Sequence, residues 1–531
     1  MTKKQKFLAA IFLFTLTVVI RVPVLRSVGE TWDEYTVVNP GETYISAIKN
    51  LDFSESSWIQ NYEHPPIAKY LYGLSRTISR HSSAILRWDS EYRVDKEYTV
   101  PRLLSACFGG LTVVLVFLIG LALFSPVVGA VSSIILAIYP SFVAYTSIVS
   151  LESVYVFFTT LFIYFLIKAL KTSHWVYHLS AILALSLCFA TRYNGLFFVL
   201  LYLVTILFRY KREILRLEIK KLPWSVVASP AIFIGTIYLI WPWLWLSPVN
   251  LFDSIMRSSG GHSGEYFLGS LAHPGWYYYF VYFLVTTPEV LLILFGLFVI
   301  RTIKKLELRK LSSIKRPISF LTSSFYTTNF LTIWFLTPFL ASGFAFKQNG
   351  IRYVVAFIPP LAIICGYCLV WLISRFKSKL FKVILLGTAL VGLLYPLVWT
   401  SPYFLDYYNL LSGGPATAYK NKAFVVGWWG EGGLDAVRYI NANAPNNAVV
   451  RMLFSPRHTL INFRKDIRQE QNFVLGNKDD FILLNTYNEW YGDQKMLSDL
   501  DQYRLVYEVK TSSWGLLDAP LVKVYKRQQV L

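Results

Sequence analysis

Cysteine is scarce in this sequence. Four cysteines occur among 531 residues, and each falls inside a long apolar stretch: Cys107, Cys188, Cys365 and Cys368. Two of them have the Cys-x-x-Cys spacing of a redox pair, but inside a lipid-embedded helix they behave as small apolar residues. We therefore expect no disulfide, no metal cluster and no redox chemistry.

Acidic residues are also few. There are 31 Asp and Glu against 51 Lys and Arg, which gives a formal net charge of +20. An excess of this size can indicate nucleic-acid binding, but much of it lies in short connections between apolar stretches. Anionic lipid headgroups are the simpler partner for such connections. The charge balance therefore predicts contact with membrane lipids and no nucleic-acid partner.

Apolar residues are abundant. Hydrophobic residues make up 55% of the chain and aromatic residues 17%, and the mean hydropathy is +0.45. Many apolar runs approach the length of about 20 residues that a helix needs to cross a bilayer. The sequence thus predicts a polytopic α-helical membrane protein with about eleven spans, the fifth and sixth being interrupted near Arg192. The expected spans are 7–25, 101–123, 127–144, 152–170, 175–191, 195–208, 224–245, 277–300, 319–340, 352–373 and 381–399.

The distribution of Lys and Arg predicts the orientation. Two of the connections, 209–221 and 301–316, carry six and seven basic residues, whereas the connection from Leu246 to Trp276 contains only Arg257. Basic connections lie on the cytoplasmic side of most membrane proteins. We therefore expect a multi-pass protein of the cell membrane with a cytoplasmic N-terminus and, after eleven crossings, an extracytoplasmic C-terminus.

The character of the sequence changes after Thr400. Residues 401–433 are rich in Tyr, Trp and Gly, and a helical pattern at 434–443 follows. Strand-like runs come next, at 449–454, 481–485, 505–510 and 521–526. We predict a transmembrane domain over 1–400, with a first outer loop at about 26–100, and a small extracytoplasmic α/β domain over 401–531.

Two motifs in the first outer loop carry chemically versatile side chains. Trp32-Asp33-Glu34 follows the first apolar helix, and Glu63-His64-Pro65-Pro66-Ile67-Ala68-Lys69 opens an amphipathic stretch. Carboxylates are costly beside a membrane, so an adjacent pair at its edge favours a reactive site over a merely solvated loop. These motifs are the first candidates for the functional site.

This arrangement resembles the GT-C glycosyltransferases, and most closely the protein O-mannosyltransferase branch and the related lipid A aminoarabinose transferases. The resemblance implies a GT-C fold and inverting transfer of a sugar, with a mannose-like hexose favoured, from a polyprenyl-phosphate donor. A protein Ser or Thr hydroxyl is the favoured extracytoplasmic acceptor. Transfer to lipid A, a glycolipid or a cell-surface polymer stays open, as does a transporter or flippase of lipid-linked glycans.

The resemblance also assigns roles to residues. Asp33 becomes the catalytic carboxylate near the acceptor hydroxyl, either as a base or by aligning it, and Glu34 supports it or contacts the sugar. The departing phosphate needs cations, and a few polar side chains should contact the sugar. Candidates for donor binding are His64, Lys69, Arg102, Glu152, Arg192, His262, Glu265, Lys347 and Arg352. We expect neither a metal nor another cofactor, the lipid-linked sugar being a substrate.

For several of these residues a purely structural role is also open. Arg192 can be an arginine that snorkels from a helix end, and Arg102 an ordinary basic residue at a membrane interface. Glu152 stands where the family usually has Asp, and it can serve only to order the start of its helix. The structure must therefore show which of these side chains meet at one place.

Overall fold

The structure is a computed structural model of the 531-residue chain. It describes residues 1–85, 93–259, 264–310, 324–343, 349–453, 462–470, 479–492, 499–512 and 517–528.

The first half of the chain is helical. Its helices are α1 (Lys3–Ser27), α2 (Trp32–Lys49), α3 (Glu55–Trp58), α4 (Ile67–Ile85), α5 (Arg93–Leu123), α6 (Pro126–Ala137), α7 (Pro140–Tyr145), α8 (Leu151–Thr172), α9 (Trp175–Phe189), α10 (Gly195–Arg209), α11 (Lys211–Leu215), α12 (Trp224–Val227), α13 (Ser229–Ile240), α14 (Trp243–Leu246) and α15 (Asn250–Ser259). Serine caps start two of them. The Ser125 side chain accepts the Val128 N–H at 3.2 Å before α6, and Ser150 accepts the Ser153 N–H at 3.3 Å before α8.

The second half adds strands. A short antiparallel hairpin of β1 (Glu265–Phe267) and β2 (Ser270–Ala272) precedes further helices. These are α16 (Tyr278–Thr286), α17 (Glu289–Lys310), α18 (Ser324–Leu336), α19 (Ile358–Arg375), α20 (Lys379–Trp399), α21 (Gly414–Lys420), α22 (Gly433–Asn443) and α23 (Thr486–Tyr491). Short 3₁₀ segments connect some of them, and one, Arg352–Phe357, leads directly into α19.

Five helical segments of the described residues are long and apolar enough to cross a membrane. They are Lys3–Leu25, Lys96–Leu123, Leu151–Thr172, Arg352–Arg375 and Lys379–Trp399. Each coincides with an expected span. The shorter apolar helices α6, α9, α10 and α13 coincide with four more, and the chain is a multi-pass membrane protein.

Proline divides three of the expected spans. Helix α6 stops at Ala137 and α7 begins at Pro140, α13 stops before Pro242, and α16 stops before Pro288. Proline lacks an N–H group and disfavours helix at the residue before it, and Thr287 accordingly has an extended ψ of 130°. The single helices that we expected over 127–144, 224–245 and 277–300 are therefore broken. The expected span 319–340 begins outside the described residues, and α18 gives way to a 3₁₀ segment at Thr337.

Helices α2 and α4 cross at very close range in the first outer loop. At the crossing lie Gly41 and Gly73, and a Cβ atom on either would clash with the backbone of the other helix. Only glycine allows two backbones to approach this closely. The crossing fixes the start of α2 relative to the turn that precedes α4, and these two segments carry both sequence motifs.

A five-stranded mixed sheet occupies the C-terminal part of the chain. Its strands are β3 (Val449–Leu453), β4 (Arg468–Glu470), β5 (Phe481–Asn485), β6 (Tyr503–Lys510) and β7 (Pro520–Arg527), in the spatial order β4-β3-β5-β7-β6. Strand β3 runs parallel to β4 and β5, while β7 runs antiparallel to β5 and β6. The four runs that we expected to be strands are strands here, and β4 is an additional one. The domain boundary near Thr400 stays a prediction.

One turn from the tail reaches the first outer loop. The Trp32 N–H donates to the Trp429 carbonyl at 3.0 Å. Close by, Gly29 has a φ of +80°, and a Cβ there would lie 3.1 Å from the Leu434 Cβ. The start of α2 therefore packs directly against the tail.

Candidate active site

A cavity of about 630 Å³ opens where these segments meet. Helix α2 contributes Asp33 to its wall, and the turn before α4 contributes His64. Further walls come from the β1–β2 hairpin, from the segment Asn349–Tyr353, and from Trp428, Trp429 and α23. This volume is typical of small-molecule sites, and the mixture of aromatic and charged side chains suits a polar ligand.

Asp33 heads a chain of alternating charges. Its Oδ2 accepts from Nη2 of Arg352, whose Nε donates to Oε1 of Glu152 at 2.6 Å. The same Glu152 oxygen accepts from Nη1 of Arg192. Only Asp33 and Arg352 reach the cavity wall, and the Asp33 side chain is 17% exposed while that of Glu152 is fully buried. We call these four residues the open network.

Both arginines of the open network also stack on aromatic rings. The Arg352 guanidinium carbon lies 4.8 Å from the Trp429 ring centre, and that of Arg192 lies 4.3 Å from the Tyr353 ring centre. Such stacking stabilises a cation without using its N–H donors. Nε and Nη2 of Arg192 have no hydrogen-bond partner among the described residues, and neither has Oε2 of Glu152. The open network therefore retains unused polar atoms.

Glu34 belongs to a different cluster, which we call the closed network. Its Oε1 accepts from Nε of Arg102 at 2.7 Å and from the Val149 N–H at 2.9 Å. Its Oε2 accepts from Nη2 of Arg102 at 2.6 Å and from the Thr31 N–H at 2.9 Å. Arg102 uses its remaining donors on the carbonyls of Leu25 and Gly29. Glu34 and Arg102 are both buried and do not line the cavity, which fits a supporting role for Glu34.

Lys69 is buried beneath the turn that precedes α4. Its Nζ donates to the carbonyls of Asn61 and His64, the latter at 2.6 Å. Burial lowers the pKa of Lys69 to about 7, because the charged form loses its hydration. The lysine thus fixes the shape of the turn, and its neighbour His64 faces the cavity with Nε2 3.9 Å from a Glu63 oxygen.

Glu265 lines the cavity from the hairpin strand β1. It is 6% exposed, and it accepts hydrogen bonds from the hydroxyls of Tyr278 at 2.8 Å and Tyr282 at 2.7 Å. Burial raises the pKa of Glu265 to about 7, although these hydroxyls oppose the shift. The Tyr278 hydroxyl also accepts the Gly350 N–H at 2.8 Å. Glu265 is thereby connected to the segment that carries Arg352.

The structure divides the predicted site residues into three groups. Asp33, His64, Glu265 and Arg352 line the cavity. Glu34, Lys69, Arg102, Glu152 and Arg192 lie behind its wall, so the structure does not bring the predicted phosphate ligands Lys69, Arg102 and Arg192 to the cavity. His262 and Lys347 lie outside the described residues.

Sequence reasoning missed two features of the wall. Arg257 lines the cavity, and its Nη1 lies 3.1 Å from the Tyr62 hydroxyl. The sequence could have suggested Arg257, since it is the one Lys or Arg residue between Leu246 and Trp276. Trp429, which stacks on Arg352, had no such signal because it is 77 positions away in the sequence. Among the described residues there is no group of three or more His, Cys, Asp or Glu side chains able to hold a metal.

The apolar helices and a partial match to a family model indicate the class of protein. The N-terminal part of the chain is similar to a family of glycosyltransferases. The matching model is described as dolichyl-phosphate-mannose-protein mannosyltransferase, and it covers residues 11–253, slightly less than half of the chain. That stretch contains Asp33, the His64–Lys69 motif, Glu152 and Arg192. Arg352 and the tail lie beyond it.

Several solved structures are similar in overall shape. ArnT from Cupriavidus metallidurans bound to undecaprenyl phosphate is 12% identical with a TM-score of 0.48, and the match covers 98% of each chain. The Archaeoglobus fulgidus oligosaccharyltransferase in the apo form is 11% identical with a TM-score of 0.48, covering 100% of this chain and 75% of that one. The S. cerevisiae Pmt1-Pmt2 complex bound to the sugar donor is 20% identical with a TM-score of 0.33, covering 50% and 36%. No curated protein sequence matches. Similarity at this level carries no information on substrate.

Proposed function

We propose that the protein transfers a sugar from a polyprenyl-phosphate donor to an extracytoplasmic hydroxyl acceptor, with inversion at the anomeric carbon. One observation carries the proposal. The Asp33 carboxylate lies at the wall of a cavity of about 630 Å³, beyond the C-terminal end of the first apolar helix, and is held there by Arg352. The family match over residues 11–253 supports the same reaction class.

The residues at the cavity fit the demands of this reaction. Asp33 aligns the acceptor hydroxyl or takes its proton as the acceptor oxygen forms a bond to the anomeric carbon. The bond from that carbon to the phosphate oxygen breaks, and the phosphate leaves on the lipid. Arg352 and Arg257 supply positive charge at the wall for the departing phosphate. The aromatic side chains beside them offer flat apolar surface to a sugar ring.

A mannose-like hexose and a protein Ser or Thr hydroxyl are the proposed donor sugar and acceptor. The description of the matching family names mannose and a protein acceptor, which supports the sugar and the class of acceptor. Asp33 can act on a hydroxyl of any acceptor and the arginines serve the donor, so the cavity residues do not distinguish this acceptor from lipid A, another glycolipid or a surface polymer. The acceptor must therefore be decided by assay.

The test is a transfer assay with purified protein in nanodiscs. Radiolabelled mannosyl-phosphate polyprenol is offered with a Ser/Thr-containing peptide or with lipid A, and each product is quantified. We expect labelled peptide, and we expect the Asp33→Asn variant to make very little of it. If only lipid A becomes labelled, the acceptor is lipid A and the proposed transfer reaction is otherwise retained. Movement of donor between leaflets of vesicles without transfer to either acceptor would favour a flippase.

The proposed orientation places the cavity outside the cytoplasm. A cysteine introduced at the exposed Asn446 of the tail should react with an impermeant thiol reagent in whole cells. A cysteine at the exposed Lys220, in the basic connection after α11, should react only after the cells are opened. Three of the four native cysteines are buried, and a Cys107→Ala background removes the half-buried fourth. The reverse labelling pattern would place the cavity inside.

A further inference from the structure

One turn of the tail, residues 427–432, reaches both sides of the Asp33–Arg352 ion pair. We call it the tryptophan turn. The ring of Trp429 lies 4.8 Å from the Arg352 guanidinium carbon. The Trp429 carbonyl accepts the N–H of Trp32, the residue before Asp33, at 3.0 Å. Trp429 is only 3% exposed. A single buried residue therefore contacts the cation of the pair and the backbone that carries its anion.

The backbone of the tryptophan turn has a shape that requires glycine. Gly430 and Gly432 have φ angles of +80° and +81°, in the left-handed region that side chains with a Cβ rarely adopt. Between these two glycines lies Glu431, whose Oε2 accepts the Trp429 N–H at 2.9 Å. The position of Trp429 is therefore set by the turn itself.

The segment that begins the tail docks into a broken helix. Helix α16 stops before Pro288, and such a break leaves backbone carbonyls without helical donors. Nδ2 of Asn409 donates to the carbonyls of Leu284 and Thr287, at 2.6 Å and 2.8 Å. The N–H of Asn409 donates to the Val285 carbonyl at 2.8 Å. Asn409 thereby attaches the start of the tail to the helix break.

Two buried side chains extend this attachment to the tryptophan turn. The Tyr408 hydroxyl donates to the Val425 carbonyl at 2.7 Å. Oδ1 of Asp406 accepts the Gly427 N–H at 2.8 Å. Hydrogen bonds therefore connect the helix break to the turn through one short segment, and the turn cannot shift without breaking some of them.

We propose that Trp429 is a positioning residue for the transfer reaction, which holds the Arg352 guanidinium at the cavity wall beside Asp33. The inference rests on the proposed function, because it takes Arg352 as a cation for the donor phosphate. The edge of the guanidinium is held by Asp33 and Glu152, and its face is held by the ring. A bound phosphate competes with the carboxylates for N–H donors, whereas the stack uses none of them. The ring therefore keeps Arg352 in place while its hydrogen-bond partners change.

This arrangement gives the tail a defined part in the site. Of the described residues, the tail contributes only aromatic side chains to the cavity wall, namely Trp428, Trp429, Tyr487 and Tyr491. The charged side chains of the wall, Asp33 and Arg352 among them, all precede the tail in the sequence. The tail therefore holds a charge that another part of the chain supplies.

The test is a double-mutant cycle on the full chain in nanodiscs, read by binding of radiolabelled polyprenyl phosphate. This probe carries no sugar, so a direct contact between Trp429 and a sugar ring does not enter the measurement. Trp429→Leu should weaken binding by about tenfold, the scale of one desolvated contact between a cation and a ring. In an Arg352→Gln background the same change should cost about twofold or less, because the cation that the ring holds is absent.

Two further variants decide the matter even if Arg352→Gln fails to fold. Trp429→Phe keeps a smaller aromatic face and should recover part of the lost affinity. The matched control is Trp490→Leu, since Trp490 is a buried tail tryptophan that stacks on Tyr419 and does not line the cavity. It should lower Tm and leave the affinity for polyprenyl phosphate near that of the wild type.

Additive losses in the cycle would overturn the inference, because Trp429 would then act without Arg352. Equal affinities of Trp429→Leu and Trp490→Leu would also overturn it, because any buried tail tryptophan would then serve. A failure of the proposed function is distinguishable from both results. Wild-type protein that shows the coupled loss of binding but transfers no sugar would contradict the reaction and support the positioning role. Wild-type protein that binds no polyprenyl phosphate would contradict both.

Discussion

Asp33 and Glu34 are adjacent carboxylates with opposite environments. Asp33 faces the cavity and forms an ion pair with Arg352. Glu34 is sealed behind the wall, where its two oxygens accept four hydrogen bonds. Successive residues of an α-helix point about 100° apart, so the first turn of α2 separates the two side chains. Two neighbouring carboxylates therefore have different surroundings: Asp33 borders the cavity, and Glu34 holds α2 against Arg102.

The comparison shows how a reactive wall can be kept rigid. The closed network joins α2 to α5 and to the turn at Val149. Each Glu34 oxygen already accepts two hydrogen bonds, so this network offers no acceptor to a ligand. The open network carries unused atoms on Glu152 and Arg192 and ends at the cavity. A site built this way holds its scaffold with one acid and offers the other to a ligand.

The largest effect should come from breaking the closed network. Glu34→Gln removes the charge that balances Arg102 in a buried position, and such a loss typically costs about 3–5 kcal/mol. We expect a large fall in the free energy of unfolding, measured by denaturant or heat in detergent. The matched control is Glu42→Gln in the same helix, where the acid pairs with the half-exposed Arg80 and lies 3.7 Å from the buried Arg76, whose charge Glu97 still balances after the change. Equal effects of the two changes would show that the sealed pair is not special.

The next effect concerns catalysis. Asp33→Asn keeps the shape of the side chain but removes its charge and basicity, so single-turnover transfer should fall by about two or more orders of magnitude. The free energy of unfolding should change far less than in Glu34→Gln. Asp52→Asn serves as control, because Asp52 is a partly exposed acid of the same loop that does not line the cavity. Near-normal transfer by Asp33→Asn would move the chemistry to another acid of the cavity wall, Glu63 or Glu265.

The sequence could supply the membrane class and the strands of the tail, and it pointed to Asp33 and His64, which line the cavity; their catalytic role stays a prediction. These depend on local pattern: apolar length, alternation, and the Asp33-Glu34 and His64 motifs. The prolines that break helices, Pro140, Pro242 and Pro288, are visible in the sequence. The length of the apolar runs around them nevertheless led us to predict continuous helices. A window of hydropathy does not register a single missing N–H group.

The sequence alone could not predict which charged side chains face the cavity. Arg352 meets Asp33 across 319 positions and Arg102 meets Glu34 across 68, and nothing local distinguishes these arginines. The same holds for Lys69, whose partners are backbone carbonyls of the turn before it. Partner choice is a tertiary property, because burial of a charge is tolerated only where the fold brings an opposite charge or a set of acceptors.

A smaller effect should follow from weakening the far end of the open network. Arg192→Ala removes one of the two cations that hold Glu152, which in turn holds Arg352 at the cavity wall, so we expect donor affinity to fall indirectly, by about tenfold, through a displaced Arg352. Arg192→Lys should restore part of it, since charge returns without the planar geometry. Donor binding is measured directly with labelled polyprenyl-phosphate sugar. Unchanged affinity in Arg192→Ala would make the residue a helix-end arginine without a part in the site.

The smallest effect concerns Glu265, where β1 lines the cavity. Its pKa lies near 7 in the folded protein and near the ordinary value in the unfolded chain, so the folded state holds the proton more tightly. Folding stability should therefore fall as pH rises from about 4.5 to about 7, by at most about 1.4 kcal/mol per pH unit from this group. Glu265→Gln cannot titrate and should show a shallower fall than the wild type when Tm is measured across that window. Asp33→Asn should leave the slope unchanged, because the two acids lie in separate hydrogen-bond networks. Parallel pH profiles for Glu265→Gln and wild type would mean that Glu265 is ionised throughout, with Tyr278 and Tyr282 stabilising its charge.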